Sequence, residues 1–365
     1  MSSGLPGRRP KPMATDTTMS LLLGVLNSAH CRSTHHHFAL DSLRFVGTAA
    51  GSRLVRRLLR EHERYLLGAT APDDRFRDFH NHCVHVDDDY WGGAPRLAML
   101  WYRRLVDCLV GGQWADAAYA AGILSHYFTD PLQPLHTAQS PREPLVHRAI
   151  ERSVRHSYQD LYRLWADDDM RAVFHLGDQP GWLAEAILKG ARFSNRRYDA
   201  VVESYDLQRG SSEPQLGLSH DCRLTFATLI GLAITGLARI WERVAAEAEC
   251  LRGAEIDRCG LRRTTLLAIL QVPEQRVLRR LTDIRERNEV ARVLEEYRRS
   301  GQLVQQMPAE CYIKSQVWLI RQRENRWRQQ FAGAWDDAGD KPAAAADRDR
   351  HSHDPAQRPD QRRAA

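Results

Sequence analysis

Apolar residues recur every three to four positions through most of this 365-residue chain. This spacing places them on one face of an α-helix. It is clearest in four segments: LDSLRFVGTAAGSRLVRRLLREHERYLL, RLAMLWYRRLVDCLV, WADAAYAAGILSHYF and RLTFATLIGLAITGLARIWERVAAEA. No segment shows a convincing strand or hairpin pattern. The sequence therefore predicts an all-α, multi-helix fold with enough apolar residues, 43%, to bury a full core.

Composition shifts along the chain predict four regions. Residues 1–18 are polar and carry Pro, Gly and Ser, so we expect a disordered tail. Residues 19–250 form the main helical domain, and 251–332 a small, basic helical domain. Residues 333–365 lack apolar periodicity and are expected to be a second disordered tail.

The basic C-terminal domain has two interpretations. Its arginines could bind phosphates of a nucleic acid while Trp318 or Trp327 stacks on bases. Alternatively, it is a helical domain whose arginines pair with neighbouring glutamates. The second interpretation is favoured because the basic residues are spread around the helices and do not form a single stripe.

Charge, cysteine content and hydropathy exclude several classes of protein. The net charge is +6, but 52 basic and 46 acidic residues are interspersed, which is typical of a solvated surface. The seven cysteines show no C-x-x-C spacing, so neither a disulfide framework nor a cysteine zinc site is indicated. The apolar run Leu224–Ala238 is too short to cross a bilayer, so no transmembrane segment is expected. A basic and then apolar N-terminus faintly resembles a signal peptide without a clear cleavage site, which favours the cytoplasm over secretion.

The segment SHYFTDPLQPLHTAQSPREPLVHRAIE concentrates five potential metal ligands. His126 and Asp130 are four residues apart at the end of a helix that Pro131 stops, so both point to one side. His147 and Glu151 repeat the spacing on the next helix. A single pair of this kind is usually an ion pair or a cap. Here there are two such pairs, and a third histidine, His136, lies in the Pro-bounded loop between them. This combination favours a metal site. Nitrogen and oxygen ligands suit catalytic Zn²⁺, although Mn²⁺ and Fe²⁺ also use them.

At these residues the sequence resembles the zinc-dependent phospholipases C, which share a fold with fungal single-strand-specific nucleases. In that family an H-x3-D-x5-H spacing is followed by a second H-x3-E or H-x3-D, as in His126, Asp130, His136, His147 and Glu151. The resemblance extends over roughly residues 30–250 and is weak outside these motifs.

The resemblance implies further ligands upstream. An early family histidine corresponds best to His35 in STHHHFALDSL, and a family aspartate to Asp73 in GATAPDD, in preference to Asp74. Another family histidine falls in HNHCVHVDDDYWGG. There His85 is preferred for the residues that follow it, and His82 remains the alternative.

By the same resemblance, two or three zinc ions would lie in a helix-lined cleft. One would be held by Asp73, His85, His126 and Asp130, a second by His136, His147 and Glu151, and a third by His35 and the bridging Asp130. Clustered zinc would stabilise the charge on a phosphodiester and activate a water, which Asp73 would orient or deprotonate. One departure concerns the third ion: the secreted family members hold it with an N-terminal tryptophan, whereas this chain has none before Trp91. His30, His36 or His37 are the possible substitutes.

The expected function is therefore zinc-dependent hydrolysis of phosphodiesters, with phospholipid head groups preferred over nucleic acid as substrate and a transient contact with membrane surfaces. Tyr90, Trp91 and Tyr127 are candidates for an apolar rim or for base stacking. The alternatives are a single-strand nuclease or nucleotidase of the same fold, and a non-catalytic scaffold that zinc stabilises. A group of only three protein ligands, His136, His147 and Glu151, favours an open, catalytic site.

Overall fold

The computed structural model describes residues 17–169, 171–252 and 260–336. Within these ranges every regular element is helical apart from one isolated bridge between His85 and Trp91, so the all-α prediction is confirmed. The predicted tails fall largely on residues 1–16 and 337–365, which lie outside the described residues. The α-helices are α1 Thr17–Val25, α2 Thr34–Ser42, α3 Ala49–Arg60, α4 His62–Ala71, α5 Ala94–Val110, α6 Trp114–Thr129, α7 Glu143–Ala166, α8 Trp182–Asn195, α9 Tyr198–Ser204, α10 Leu207–Ser212, α11 His220–Arg252, α12 Arg262–Leu270, α13 Val272–Ser300 and α14 Ala309–Asp336.

Helix α11 is the centre of the core. It contacts α2, α3, α5 and α7, and its apolar residues, among them Ile234 and Trp241, are buried. Its segment His220–Leu251 is long and apolar enough to span a membrane, but 78% of the most apolar window is buried inside the protein. A core helix accounts for that burial, and the described residues contain no clear transmembrane segment.

The closest helix contact is between α4 and α6, and two glycines allow it. A Cβ atom on Gly68 would lie 2.2 Å from the carbonyl oxygen of Tyr119, and one on Gly122 would lie 2.1 Å from that of Tyr65. Both distances are far inside van der Waals contact, so any side chain would force the backbones apart. The two helices therefore cross with their main chains in contact, and the turns that follow them carry Asp73 and Asp130.

Irregular turns follow both helices at this point. After α4 the chain makes one π-helical turn, Pro72–Phe76, and Arg77 closes it in the left-handed region at φ 52°. After α6 two short 3₁₀ turns, Asp130–Leu132 and Pro134–His136, replace the helix, as the prolines require. Single π-turns are frequent at functional sites because they re-aim side chains.

The chain divides into two compact units, Met1–Ser315 and Gln316–Ala365. Helices α12 and α13, which the sequence placed in a separate C-terminal domain, belong to the first unit. His30 donates a hydrogen bond to the carbonyl oxygen of Ala268 in α12 over 3.0 Å. Arg155 of α7 pairs with Glu286 of α13 at 2.6 Å. Both contacts join residues far apart in sequence, so local composition could not reveal them.

The glycine contact yields a stability prediction. Gly122→Ala should lower the free energy of unfolding by about 1–3 kcal/mol, because overpacking forces backbone shifts. Urea unfolding followed by circular dichroism measures it. Gly24→Ala in α1 is the matched control: its Cβ meets nothing within 4 Å, so stability should stay level or rise by about 0.5–1 kcal/mol. Equal effects of the two substitutions would contradict the close α4–α6 contact.

Candidate metal centre

Four ligand atoms converge where α4 and α6 end. The nitrogen His126 Nε2 lies 2.9 Å from Asp130 Oδ2 and 3.6 Å from Asp73 Oδ1. His82 Nδ1 lies 3.0 Å from Asp130 Oδ2, 3.4 Å from Asp73 Oδ1 and 3.2 Å from His126 Nε2. Ligand atoms about 2.1 Å from one tetrahedral ion lie about 3.4 Å from each other. The separations among His82, His126 and Asp130, and those from Asp73 to the two histidines, are therefore compatible with ligands of one tetrahedral ion.

Hydrogen bonds on the far side of each ring orient the two imidazoles. His126 Nδ1 donates to the carbonyl oxygen of Ala69 over 2.9 Å, which leaves Nε2 unprotonated in the neutral ring. His82 Nε2 faces Asp78 Oδ1 at 3.3 Å, which leaves its Nδ1 free. Two lone pairs thus point at each other, and they repel unless a cation or a proton lies between them. An outer hydrogen bond of this type is the usual way in which proteins aim metal-binding histidines.

Asp130 supports the same conclusion. Its two oxygens are buried and neither accepts a hydrogen bond of good geometry, although three imidazole nitrogens lie within 3.3 Å. Burying an ionised carboxylate without partners is costly. The residues present therefore fit a bound cation, which would satisfy these oxygens.

The electrostatics of the group also demand positive charge. Burial would lower the pKa of His82, but Asp130 and Asp78 on either side of the ring raise it to about 10. Partial burial raises the pKa of Asp73 to about 6, against the opposite effect of His126 and His82. Positive charge is thus needed at this point, carried either by a proton on His82 or by a metal ion.

His35 approaches from the other side of Asp130. Its Nε2 lies 3.3 Å from Asp130 Oδ1 and 4.0 Å from Asp73 Oδ2. Its Nδ1 is 3.3 Å from the hydroxyl oxygen of Thr129. The two oxygens of Asp130 therefore face two different sets of nitrogens, the arrangement of a carboxylate that bridges two ions.

The second predicted group lies on α7 and the loop before it. His147 Nε2 is 3.2 Å from Glu151 Oε1, while its Nδ1 lies 3.0 Å from Glu143 Oε1. His147 Nε2 and His136 Nδ1 are buried without hydrogen-bond partners. The two rings are 6.1 Å apart between centroids. The unpaired Nε2 of His147 beside the Glu151 carboxylate thus offers two ligand atoms to a cation, and the His136 ring lies near them.

One cleft connects the two groups. It has a volume of about 170 Å³, and Asp73, His35 and Asp130 line one part while His136 and Glu151 line another. Its wall also includes three arginines and three glutamates from α7, α13 and the start of α14: Arg148, Arg152, Arg155, Glu286, Glu289 and Glu310.

His85, the preferred ligand of the family resemblance, is not brought to this group; the alternative, His82, takes its place. The backbone N–H of His85 donates to the carbonyl oxygen of Trp91, and its Nδ1 bonds to Asp88, so the loop closes on itself. Gly92 makes this closure possible. Its φ is 134°, and a Cβ there would lie 1.8 Å from the carbonyl oxygen of Cys83. The residues that follow His85 in the sequence, up to Gly92, therefore form a tight turn.

The three substitutes considered for the third ion are engaged elsewhere. His36 uses both ring nitrogens, accepting from the N–H of Arg32 and donating to the carbonyl oxygen of Leu66. His37 donates to the side chain of Asn27, and His30 bonds to α12. Of the early histidines, His35 alone contacts the candidate ligands.

Two carboxylates that the sequence reasoning missed hold the ligand rings. Asp78 accepts hydrogen bonds from His82, Asn81 and Tyr127; burial would raise its pKa, but these bonds outweigh that effect and lower it. Glu143 likewise accepts a hydrogen bond from Nδ1 of His147. Asp78 and Glu143 each precede their histidine by four residues, and this spacing was the available signal.

A third missed residue, Lys314, comes from the start of α14. Its ammonium group is 1% exposed, lies 3.5 Å from Glu143 Oε1 and donates to the carbonyl oxygen of Leu135, the residue before His136. Burial would raise the pKa of Glu143, but Lys314 and the bonds from His147 and Tyr198 lower it to about 2. Lys314 thus supports both sides of the second group, and nothing in the sequence near position 314 indicates it.

No protein-family model and no curated protein sequence matches the chain. The assignment of the site therefore depends on the geometry of these side chains. The strongest element is the set of separations between 2.9 and 3.6 Å around Asp73, His82, His126 and Asp130.

The role of Asp78 can be tested through metal affinity. Asp78→Asn should weaken zinc binding by about tenfold to a hundredfold, the usual cost of removing an outer partner of a ligand histidine. Competition with a chromophoric chelator measures the affinity. Asp74→Asn, an exposed carboxylate in the neighbouring turn, is the control and should leave it unchanged. Wild-type affinity in Asp78→Asn would show that His82 needs no such support.

Lys314 should matter for stability. Lys314→Met leaves the buried Glu143 carboxylate without its cation and should cost about 3–5 kcal/mol of unfolding free energy. The double variant with Glu143→Gln should recover most of this loss, since no charge is then left unpaired. Lys189→Met on the surface of α8 is the control. Chemical denaturation compares the four proteins, and an unaffected Lys314→Met would refute the buried ion pair.

Proposed function

We propose that the chain is a zinc-dependent phosphodiester hydrolase that acts like a phospholipase C on phospholipid head groups. The observation that carries this proposal is the convergence of His82 Nδ1, His126 Nε2 and carboxylate oxygens of Asp73 and Asp130 within 2.9–3.6 Å at an open cleft. Four protein ligands alone would also suit a structural zinc site, so the catalytic assignment depends on the cavity that borders Asp73 and Asp130 and on the second group that lines the same cavity.

The donor atoms determine which metal is proposed. All are imidazole nitrogens or carboxylate oxygens, which suit zinc in a catalytic setting. Asp73, His82, His126 and Asp130 would hold one ion and His136, His147 and Glu151 a second, with His35 and Asp130 available to a third. When bound, zinc supplies Lewis-acid stabilisation of phosphoryl oxygens and makes water a stronger acid.

The protein's own groups define the remaining chemistry. The Asp73 side chain is 41% exposed and faces the cleft, so it can orient an attacking water and take up its proton. Arg152 lines the same cleft, and its Nε is buried without an acceptor among the described residues. A phosphate group would supply such an acceptor. Both features suit an anionic ester as substrate.

The lining of the cleft favours a lipid over a nucleic acid. Its apolar wall includes Ile150, Val154, Phe38 and Phe226, all of which are almost fully buried, so the lining offers no exposed aromatic face. Stacking of bases needs an exposed aromatic face. Tyr127, expected at the rim, is instead fully buried and donates to Asp78. Phospholipid is therefore the proposed substrate, and contact with a membrane surface is part of the proposal.

The proposal is tested by elemental analysis and activity on the same samples. Wild type should contain two or three zinc ions per chain and hydrolyse phosphatidylcholine. His126→Ala should lose zinc and at least about a hundredfold in activity, since a ligand matters at least as much as its outer partners. His80→Ala, an exposed histidine two residues before His82, is the control and should behave as wild type.

Single-stranded DNA is assayed in parallel. Turnover of DNA but not of lipid would replace the phospholipase by a nuclease. Zinc without turnover of either substrate would indicate a stabilised scaffold. A wild-type protein that binds no zinc would refute the metal centre altogether.

A further inference from the structure

An exposed apolar face runs along α12 and α13. It consists of Leu266, Leu270, Val277, Leu281 and Ile284, each at least 50% exposed. Residues three, four or seven apart share one side of a helix, so each helix presents its members together. We call this set the α12–α13 apolar face.

The two helices present the face as one surface. Only Gln271 separates them, and the helical hydrogen bonds continue through it: its N–H donates to the carbonyl oxygen of Leu267, and its own carbonyl oxygen accepts from Gln275, both over 3.0 Å. These two bonds keep α12 and α13 in similar helical phase, although Pro273 at the start of α13 has no N–H to continue the pattern.

Burial of the opposite sides fixes the orientation of both helices. Thr265 and Ala268 of α12 are buried, and α12 contacts α1. Val290 and Val293 of α13 are buried, and α13 contacts α7. The apolar face is therefore not the side by which these helices join the core. Single exposed aliphatic residues are common, but five in helical register form a patch that indicates a partner.

Positive charge borders the face. Arg262, Arg263, Arg276 and Arg280 are exposed and lie one to four positions from its members. Glu274 is the exposed acidic residue among the described positions of the same stretch, 262–284. Guanidinium groups stay protonated at all relevant pH values. The surface thus combines an aliphatic strip with a cationic border.

This combination selects among possible partners. A second copy of the chain would bring one arginine border against another, and the like charges would repel. Protein interfaces usually centre on aromatic anchors, whereas the members of this face are all aliphatic. Aliphatic side chains flanked by arginines match an interfacial helix, which inserts its apolar side between acyl chains while its cations contact anionic head groups.

We propose that the α12–α13 apolar face docks the protein onto anionic phospholipid membranes. The inference deepens the proposed function by assigning a surface to its membrane contact, and this docking surface is separate from the cleft. Glu286, which lines the cleft, follows Ile284 by two residues and so lies on nearly the opposite side of α13. Docking therefore requires neither zinc nor turnover.

Vesicle co-sedimentation of the full-length, zinc-loaded protein tests the proposal. Wild type should pellet with vesicles of phosphatidylcholine mixed with phosphatidylserine, and much less with phosphatidylcholine alone. Leu270→Ser with Leu281→Ser should weaken binding at least about tenfold, because two aliphatic side chains no longer enter the bilayer. Arg276→Gln with Arg280→Gln should weaken it by about fivefold per arginine, and added salt should reduce wild-type binding.

Leu100→Ser with Leu224→Ser is the matched control, since these exposed leucines lie on α5 and α11. It should bind as wild type does, and circular dichroism should show all variants folded. Equal binding by the Leu270/Leu281 variant, or a wild-type dimer that this variant dissociates in light scattering, would overturn the proposal. A chain without zinc or hydrolysis that still binds these vesicles through Leu270 and Leu281 would uphold it while refuting the proposed function.

Discussion

The main-chain contact between α4 and α6 is the constraint on which the candidate site depends. Gly68 and Gly122 allow the two helices to touch, and this brings the carbonyl oxygen of Ala69 within hydrogen-bond distance of His126. That bond decides which nitrogen of His126 faces the carboxylates. The turn after α4 then presents Asp73, and the end of α6 presents Asp130. Separating the helices would disperse the ligand set and remove the bond that aims its central ring.

The two candidate ligand groups share one arrangement of hydrogen bonds. In each, a carboxylate four residues before a histidine fixes the ring from behind: Asp78 for His82 and Glu143 for His147. Several donors stabilise the ionised form of this outer carboxylate, so it remains a hydrogen-bond acceptor. The inner nitrogen is left buried and directed at a further carboxylate. Such a network is costly to bury without a cation.

The C-terminal helices contribute to the first unit in two ways. Lys314 neutralises Glu143 and bonds to the carbonyl oxygen next to His136, so the start of α14 helps to form the second group. Helices α12 and α13 cover part of the core with one side and expose an aliphatic face with the other. Of the two interpretations made from the sequence, the pairing of arginines with neighbouring glutamates has an example in Arg285 and Glu289 of α13. A basic segment of this kind can therefore be an integral part of a site and a surface for docking.

Local patterns in the sequence were sufficient for the helical class, and they placed the candidate ligands that lie at fixed spacing along one segment. His126, Asp130, His147 and Glu151 are four apart in pairs, and helix geometry alone places each pair on one side. His35 and Asp73 were inferred only through the family resemblance, and the structure brings both to Asp130. The choice of His82 over His85 could not be made from sequence context, because it depends on the turn that closes on Trp91 and on Asp78 behind the ring.

Only the tertiary structure decided the relations between distant segments. Helix α13 carries apolar residues on two sides, and its periodicity is equally compatible with burying Val277, Leu281 and Ile284 or with burying Val290 and Val293. Packing against α7 buries the second set and exposes the first. The role of Lys314 likewise arises from its contact with a glutamate 171 positions earlier. Spacing between nearby residues can be read directly from the sequence, whereas burial and charge pairing depend on which helices contact each other.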